Sequence, residues 1–208
     1  MRVQKNTLAS FLKENPQDSI LILRHGHRQE HRAGSFGHDL ELTEKGRAES
    51  FALGKLIPPH LLIEIHTSPV LRCVQTAGEI LRGAHQNRQV TFSHILGDPG
   101  PFIDDCNKAG SLFLEHSMKE MAQMMMSGQT LPGMRSLKEG VSIFLDYVSQ
   151  VKNFPCLMIS HDIIICLLSC YFMKSKDVEY HMPDFLEGFS ITLKKVNKTN
   201  YNMIRSFQ

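Results

Sequence analysis

Residues 24–28 read Arg-His-Gly-His-Arg and follow directly on the apolar run Ile20, Leu21, Ile22, Leu23. An apolar run of this kind reads as a strand buried on both faces of a parallel sheet, so cations and imidazoles at its end have little structural reason to be there. Ligands of open α/β sheets bind at that edge. Arg24 and Arg28 carry planar forks of donors that match phosphate or carboxylate oxygens. Gly26 is read as the residue that lets an anion approach the backbone. His25, between them, has the chemistry of a nucleophile: a neutral imidazole nitrogen attacks phosphorus and splits one difficult displacement into two. A solvated basic turn after a strand is the plainer reading of the same residues.

Further along, Leu42-Thr43-Glu44-Lys45-Gly46-Arg47 opens an amphipathic helix reaching about Ile57, with Thr43 as N-cap and Leu53, Leu56 and Ile57 on one face. A short strand at 62–66 leads into Ser68-Pro69-Val70-Leu71-Arg72-Cys73-Val74-Gln75-Thr76-Ala77, which turns into a helix with Arg72 in its first turn. The run 156–160 is a strand that stops at His161-Asp162, followed by an apolar helix over 163–172. Strand ends thereby deliver Arg24, His25, Arg28, Arg72 and His161 to one edge. His161 alone would read as a satisfied core histidine.

Taken in order, Arg24-His25-Gly26, the 42–47 segment, the 68–77 segment and Ser160-His161-Asp162 resemble the histidine phosphatase superfamily, the phosphoglycerate mutase-like fold. The resemblance spans 20 to about 172. It implies a metal-independent phosphoryl transfer in which His25 takes the phosphoryl group while Arg24, Arg28, Arg72 and His161 grip its oxygens. Positioned cations favour the charge that spreads over the equatorial oxygens in the transition state. They also disfavour protonation of His25, which must be neutral to attack.

A general acid is needed for the leaving alcohol. Mutase-like members carry it in the insertion after the third strand, which implies Asp98 in Leu96-Gly97-Asp98-Pro99-Gly100, with Asp104 and Asp105 behind it. Acid phosphatase-like members carry it directly after the second histidine, which implies Asp162. Asp162 also fits a plain role in the first turn of a helix, satisfying amides and the helix dipole. His27 reads equally as a substrate contact or an exposed loop residue.

Composition suits a compact enzyme: 208 residues at 42% hydrophobic bury a sizeable single core, and a net charge of +2 without a dense basic run argues against nucleic acid as partner. The remaining histidines lack tight metal-ligand spacing, so neither metal nor organic cofactor is implied. The cysteines, 73, 106, 156, 166 and 170, are an odd number without a Cys-x-x-Cys pair. They read as reduced residues, most of them in the core, and together with an N-terminus lacking a signal-peptide pattern they point to the cytoplasm. No apolar run is long enough to cross a membrane.

Strands are expected at 19–23, 62–66, 90–95, 157–160, 189–194 and 201–204, the last two forming a hairpin across a polar turn at 195–200. Helices are expected at about 6–14, across the 112–126 periodicity, and at about 136–151. Met118, Met121, Met124 and Met125 recur at helical spacing and read first as a core-facing stripe. The expected fold is one α/β domain over 1–208. It is a three-layer α/β/α sandwich with a mostly parallel central sheet, phosphoglycerate mutase-like, with a helical cap insertion at 97–139 over the pocket. The expected activity is hydrolysis of a small phosphate monoester, the partner being that substrate. A mutase and a phosphate-binding regulatory module without turnover are the alternatives. Oligomeric state and the identity of the ester are not encoded in any of these features.

Overall fold

The computed structural model describes residues 19–30, 37–193 and 199–204. The strands are β1 (Ser19–Arg24), β2 (Glu64–Thr67), β3 (Thr91–Phe92), β4 (Cys156–Ser160), β5 (Gly188–Leu193) and β6 (Thr199–Ile204). The helices are α1 (Glu44–Lys55), α2 (Leu71–Gly83), α3 (Cys106–Glu115), α4 (Met118–Met126), α5 (Leu137–Val148), α6 (Asp162–Phe172) and α7 (Val178–His181). The strands form one six-stranded sheet in the order β3-β2-β4-β1-β5-β6. The first four are mutually parallel, and β5 and β6 add as antiparallel strands at one side.

Alternation along the central strands builds two cores. Ile20, Ile22, Cys156 and Met158 face one layer, with Phe144, Leu112, Met121 and the apolar face of α6. Leu21, Leu23, Leu157 and Ile159 face the other, with Leu53 of α1 and Cys73, Ala77 and Ile80 of α2. Side chains of period two that are apolar at every position are what a sheet covered by helices on both faces requires. The result is the expected three-layer α/β/α sandwich.

Helix starts follow their capping residues. Thr43 caps α1 by accepting from the Gly46 amide, and α4 and α5 each open with a complete capping box, Ser117 with Glu120 and Ser136 with Glu139. The box at Ser117 is why the 112–126 periodicity is two helices rather than one: the chain is extended at His116 and restarts. The methionine stripe packs as core, with Met121 and Met125 buried and Met118 and Met124 against them. The expected strand at 90–95 is only two residues long, because Ser93 caps a 3-10 turn over His94–Leu96. Helix α7 was not foreseen; it is a single turn capped by Asp177. The helix expected at about 6–14 and most of the 195–200 turn lie outside the described residues.

Register places the site. Arg24 is paired with Ser160 across β1 and β4, so His25 and His161 leave the sheet side by side. The amide of His25 donates to the Ser160 carbonyl at 3.1 Å, and the amide of Ser68, leaving β2, donates to the Ile159 carbonyl at 3.0 Å. Three parallel strands therefore end level, and the helix that follows β2 swings Arg72 back over them.

Candidate active site

His25 is 2% exposed. Its Nδ1 lies 2.8 Å from the carbonyl oxygen of Gly26. A carbonyl oxygen only accepts, so the ring proton is on Nδ1 and the lone pair is on Nε2. Arg72 confirms that tautomer, since its Nε donates to His25 Nε2 at 3.0 Å. Burial, then the neighbouring His161 and Arg72, hold the His25 imidazole well below its ordinary value, so it is neutral near pH 7.

Arg72 spans both histidines. Its Nη1 donates to the Gly37 carbonyl at 2.7 Å and its Nη2 to His161 Nδ1 at 3.2 Å. The proton of His161 is consequently on Nε2, from which it donates to Ser68 Oγ at 3.0 Å. Burial and the Arg72 charge drive the His161 imidazole down to about 3. The two rings stand edge to face, 5.5 Å between centroids. Cys73 Sγ lies 3.6 Å from His161 Nε2, but burial pushes this thiol up to about 12, so it stays protonated and the imidazole is the available nucleophile.

Arg24 is clamped from three sides. Nη1 donates to the Pro183 carbonyl at 2.9 Å, Nη2 pairs with Asp162 Oδ2 at 2.7 Å, and the guanidinium lies 4.3 Å over the Phe185 ring. Its Nε is buried with no acceptor among the described residues. Arg28 donates from Nη1 to the Gln29 carbonyl at 2.7 Å. Arg28 and Arg72 are both lowered, by burial first; Arg72 and Arg24 lower Arg28 further, whereas at Arg72 the push from Arg24 is opposed by Asp162 and Asp98.

Arg24, His25, Arg28, Arg72 and His161 line one cavity of about 650 Å³, together with both candidate acids. The two aspartates differ. Asp162 begins α6 and accepts at each oxygen, from Arg24 at Oδ2 and from the Ile163 amide at Oδ1, 2.9 Å away. Asp98 sits on the cavity wall with its side chain 44% exposed and 3.5 Å from His38 Nδ1. Its backbone is in the left-handed region, φ 61°, and His94 Nδ1 donates to its carbonyl at 2.6 Å. Asp104 and Asp105 turn elsewhere, to Arg135 and to the cap of α3.

Four positions had roles that sequence reading gave differently, left open or did not give at all. Gly26 does not open the backbone to an anion: its amide donates to Thr76 Oγ1 at 2.9 Å, and a Cβ there would stand 2.7 Å from Ser50 Oγ of α1. The glycine serves the seating of α1. His27 is held by Thr43 Oγ1 at 2.8 Å and does not line the cavity. Gly97 and Phe185 were missed. At Gly97, φ is 146° and a Cβ would meet His161 Cδ2 at 2.3 Å, so a bare backbone lies against the second histidine. The Gly-Asp-Pro-Gly sequence signals that turn, whereas nothing local to Phe185 signals a contact with Arg24.

Residues 20–95 match the family described as histidine phosphatase superfamily (branch 1). No curated protein matches the sequence. Solved structures share the fold at low identity. An Escherichia coli protein described as a putative alpha-ribazole-5'-P phosphatase is 15% identical, with TM-score 0.62 over 91% of this chain and 96% of its own. An Entamoeba histolytica phosphoserine phosphatase is 16% identical, with TM-score 0.61 over 89% and 95%. A mycobacterial glucosyl-3-phosphoglycerate phosphatase is 14% identical, with TM-score 0.61 over 89% and 96%.

Proposed function

We propose that this chain, a histidine phosphatase superfamily member by its 20–95 segment and its phosphoglycerate mutase-like fold, hydrolyses small phosphate monoesters through a phosphohistidine on His25. The observation that carries this reading is the Nε2 lone pair of His25, buried at the head of the cavity and ringed by Arg24, Arg28 and Arg72. Phosphatase is also the activity in the descriptions of the structurally similar proteins.

In the first half-reaction the Nε2 lone pair forms a bond to phosphorus as the ester P–O bond breaks. The departing oxygen takes a proton from the carboxylic acid of Asp98. The arginines hold the equatorial oxygens, and the buried Arg24 Nε–H is a donor that a phosphoryl oxygen would satisfy. Arg72 exchanges its bond to the His25 lone pair for one to the phosphoryl group. In the second half-reaction water attacks phosphorus, Asp98 takes its proton, and His25 leaves with its lone pair restored. Asp162, already accepting at both oxygens, positions Arg24.

Hydrolysis is favoured over a mutase by the cations of the 97–139 segment, which we read as the cap. Lys108 pairs with Asp105, Lys119 with Glu179 and Arg135 with Asp104, and none of these three lines the cavity. They do not form a second anion site that would hold a substrate for return of its phosphoryl group. Four of the cysteines, Cys73, Cys156, Cys166 and Cys170, are buried thiols, in keeping with a reducing compartment such as the cytoplasm. No helix among the described residues is long and apolar enough to cross a membrane.

The test is to mix enzyme with a ³²P-labelled aryl phosphate in chelator and quench with alkali. An acid-labile, alkali-stable label on wild type, absent from His25→Ala together with turnover, is expected. Full turnover in His25→Ala that remains folded by circular dichroism overturns the mechanism.

A further inference from the structure

The cavity is chemically divided. Its arginines and both histidines of the sheet edge belong to one group of lining residues, while the rest of the wall is mostly apolar, interrupted by His38, Cys106, His116 and Ser117. Helix α6 supplies Ile163 and Ile164 immediately after His161 and Asp162, so the wall turns apolar one residue past the polar head. Helix α3 contributes Phe113 and Leu114 to the lining, and Phe102 and Met134 add further apolar surface. Leu114 lines the cavity and is 55% exposed, so part of its apolar surface is open to a molecule in it. Small residues of α3, Ala109 and Gly110, leave width between these walls. Among the described residues, no lysine lines the cavity and its arginines are confined to the phosphate end.

We infer that the substrate is a phosphate monoester whose alcohol carries a sizeable apolar group, aromatic or alkyl, and no second anion. This rests on the phosphatase reading and names the substrate class for the same pocket. A cavity of about 650 Å³ is far larger than a phosphate group needs and falls in the usual range for ligands of drug size. A hydroxylated or carboxylated alcohol placed against Ile163, Ile164 and Phe113 would lose its water without gaining hydrogen bonds in return. An apolar alcohol gains by the same burial. Gly100, at φ 86°, packs so closely on Ile164 that a Cβ would lie 2.8 Å from its Cδ1, so the bare backbone leaves room for that isoleucine in the lining.

Affinity separates this inference from the catalytic one. Binding of methylphosphonate, butylphosphonate, naphthylmethylphosphonate and the doubly anionic phosphonoacetate is measured by calorimetry on wild type and His25→Gln. Affinity is expected to rise along the apolar series by about tenfold or more, with phosphonoacetate no tighter than methylphosphonate. Leu114→Glu is expected to reduce the naphthyl-over-methyl ratio; its site is half exposed and tolerates a polar residue for folding. The kcat/KM values of ethyl and naphthyl phosphate on wild type are read alongside. A rising affinity series without turnover would sink the phosphatase reading but leave the apolar pocket standing. Equal affinities along the series, or tightest binding of phosphonoacetate, overturn the inference even if both esters are hydrolysed.

Discussion

The proton on Nδ1 of His25 and the lone pair on its Nε2 are set by two neighbours of opposite kind, a carbonyl that accepts and a guanidinium that donates. The same logic separates the two aspartates. Asp162 accepts from Arg24 and from the first helical amide it can reach, which is the pattern of a residue that orients a cation and caps a helix. Asp98 has a half-exposed carboxyl on the cavity wall, able to meet a leaving oxygen and a water in turn. Asp98→Asn is therefore expected to lower kcat/KM for an alkyl phosphate by about 10²–10⁴-fold. For p-nitrophenyl phosphate, whose leaving group departs without a proton, the loss should be much smaller. Asp162→Asn should slow both esters alike, through a loosened Arg24. Rates on both esters for both variants decide the matter, and the reverse pattern would assign the acid to Asp162. Sequence alone held these two apart only as alternatives, because the bond from Arg24 to Asp162 joins residues far apart in the chain.

At the scale of elements, β1 and β4 were legible because a strand buried on both faces must be apolar throughout, and their shared register then carries His25 and His161 to the same edge. The N-cap at Thr43 and the placement of Arg72 in the first turn of α2 were equally legible, since caps and turns are local chemistry. The break at His116 was masked by apolar periodicity that runs on through it, although Ser117 with Glu120 carries the signature of a new start. The end of β3 was hidden for a related reason: Ile95 and Leu96 are apolar in a 3-10 turn as they would be in a strand. That turn has a function, because the loop leaving it brings Gly97 against His161 and Asp98 onto the cavity wall. Gly97→Ala combines an unfavourable φ with a Cβ 2.3 Å from the His161 ring. It is expected to cost about 1–3 kcal/mol of stability and to lower kcat/KM more than Gly128→Ala. Gly128 also has positive φ, but its Cβ meets open space. Urea unfolding with parallel kinetics checks this; equal kinetic losses at the two glycines would show that strain, not displacement of His161, is responsible.

For the molecule as a whole, the site holds two imidazoles folded in their uncharged form. His25 and His161 are buried among arginines, and burial outweighs every other influence on them. Both titrate lower when folded than when unfolded, so below the unfolded value near 6.5 the unfolded chain binds protons that the native chain does not. Their contribution to stability is thus complete above about pH 6.5. It is lost as the pH falls from there toward the folded values, about 3 for His161. Two such groups give a slope of up to about 3 kcal/mol per pH unit between pH 6 and pH 5. His25→Gln keeps a polar side chain of similar reach but does not titrate there, so it should roughly halve that slope. Urea midpoints of wild type and His25→Gln at half-unit steps from pH 7 to pH 5 measure it directly. Carboxylates shared by both proteins cancel in the comparison, so identical slopes would mean that His25 is not held neutral by the fold. In that event a nucleophile free at neutral pH would have to be explained by the substrate's own arrival, not by burial in a cationic pocket.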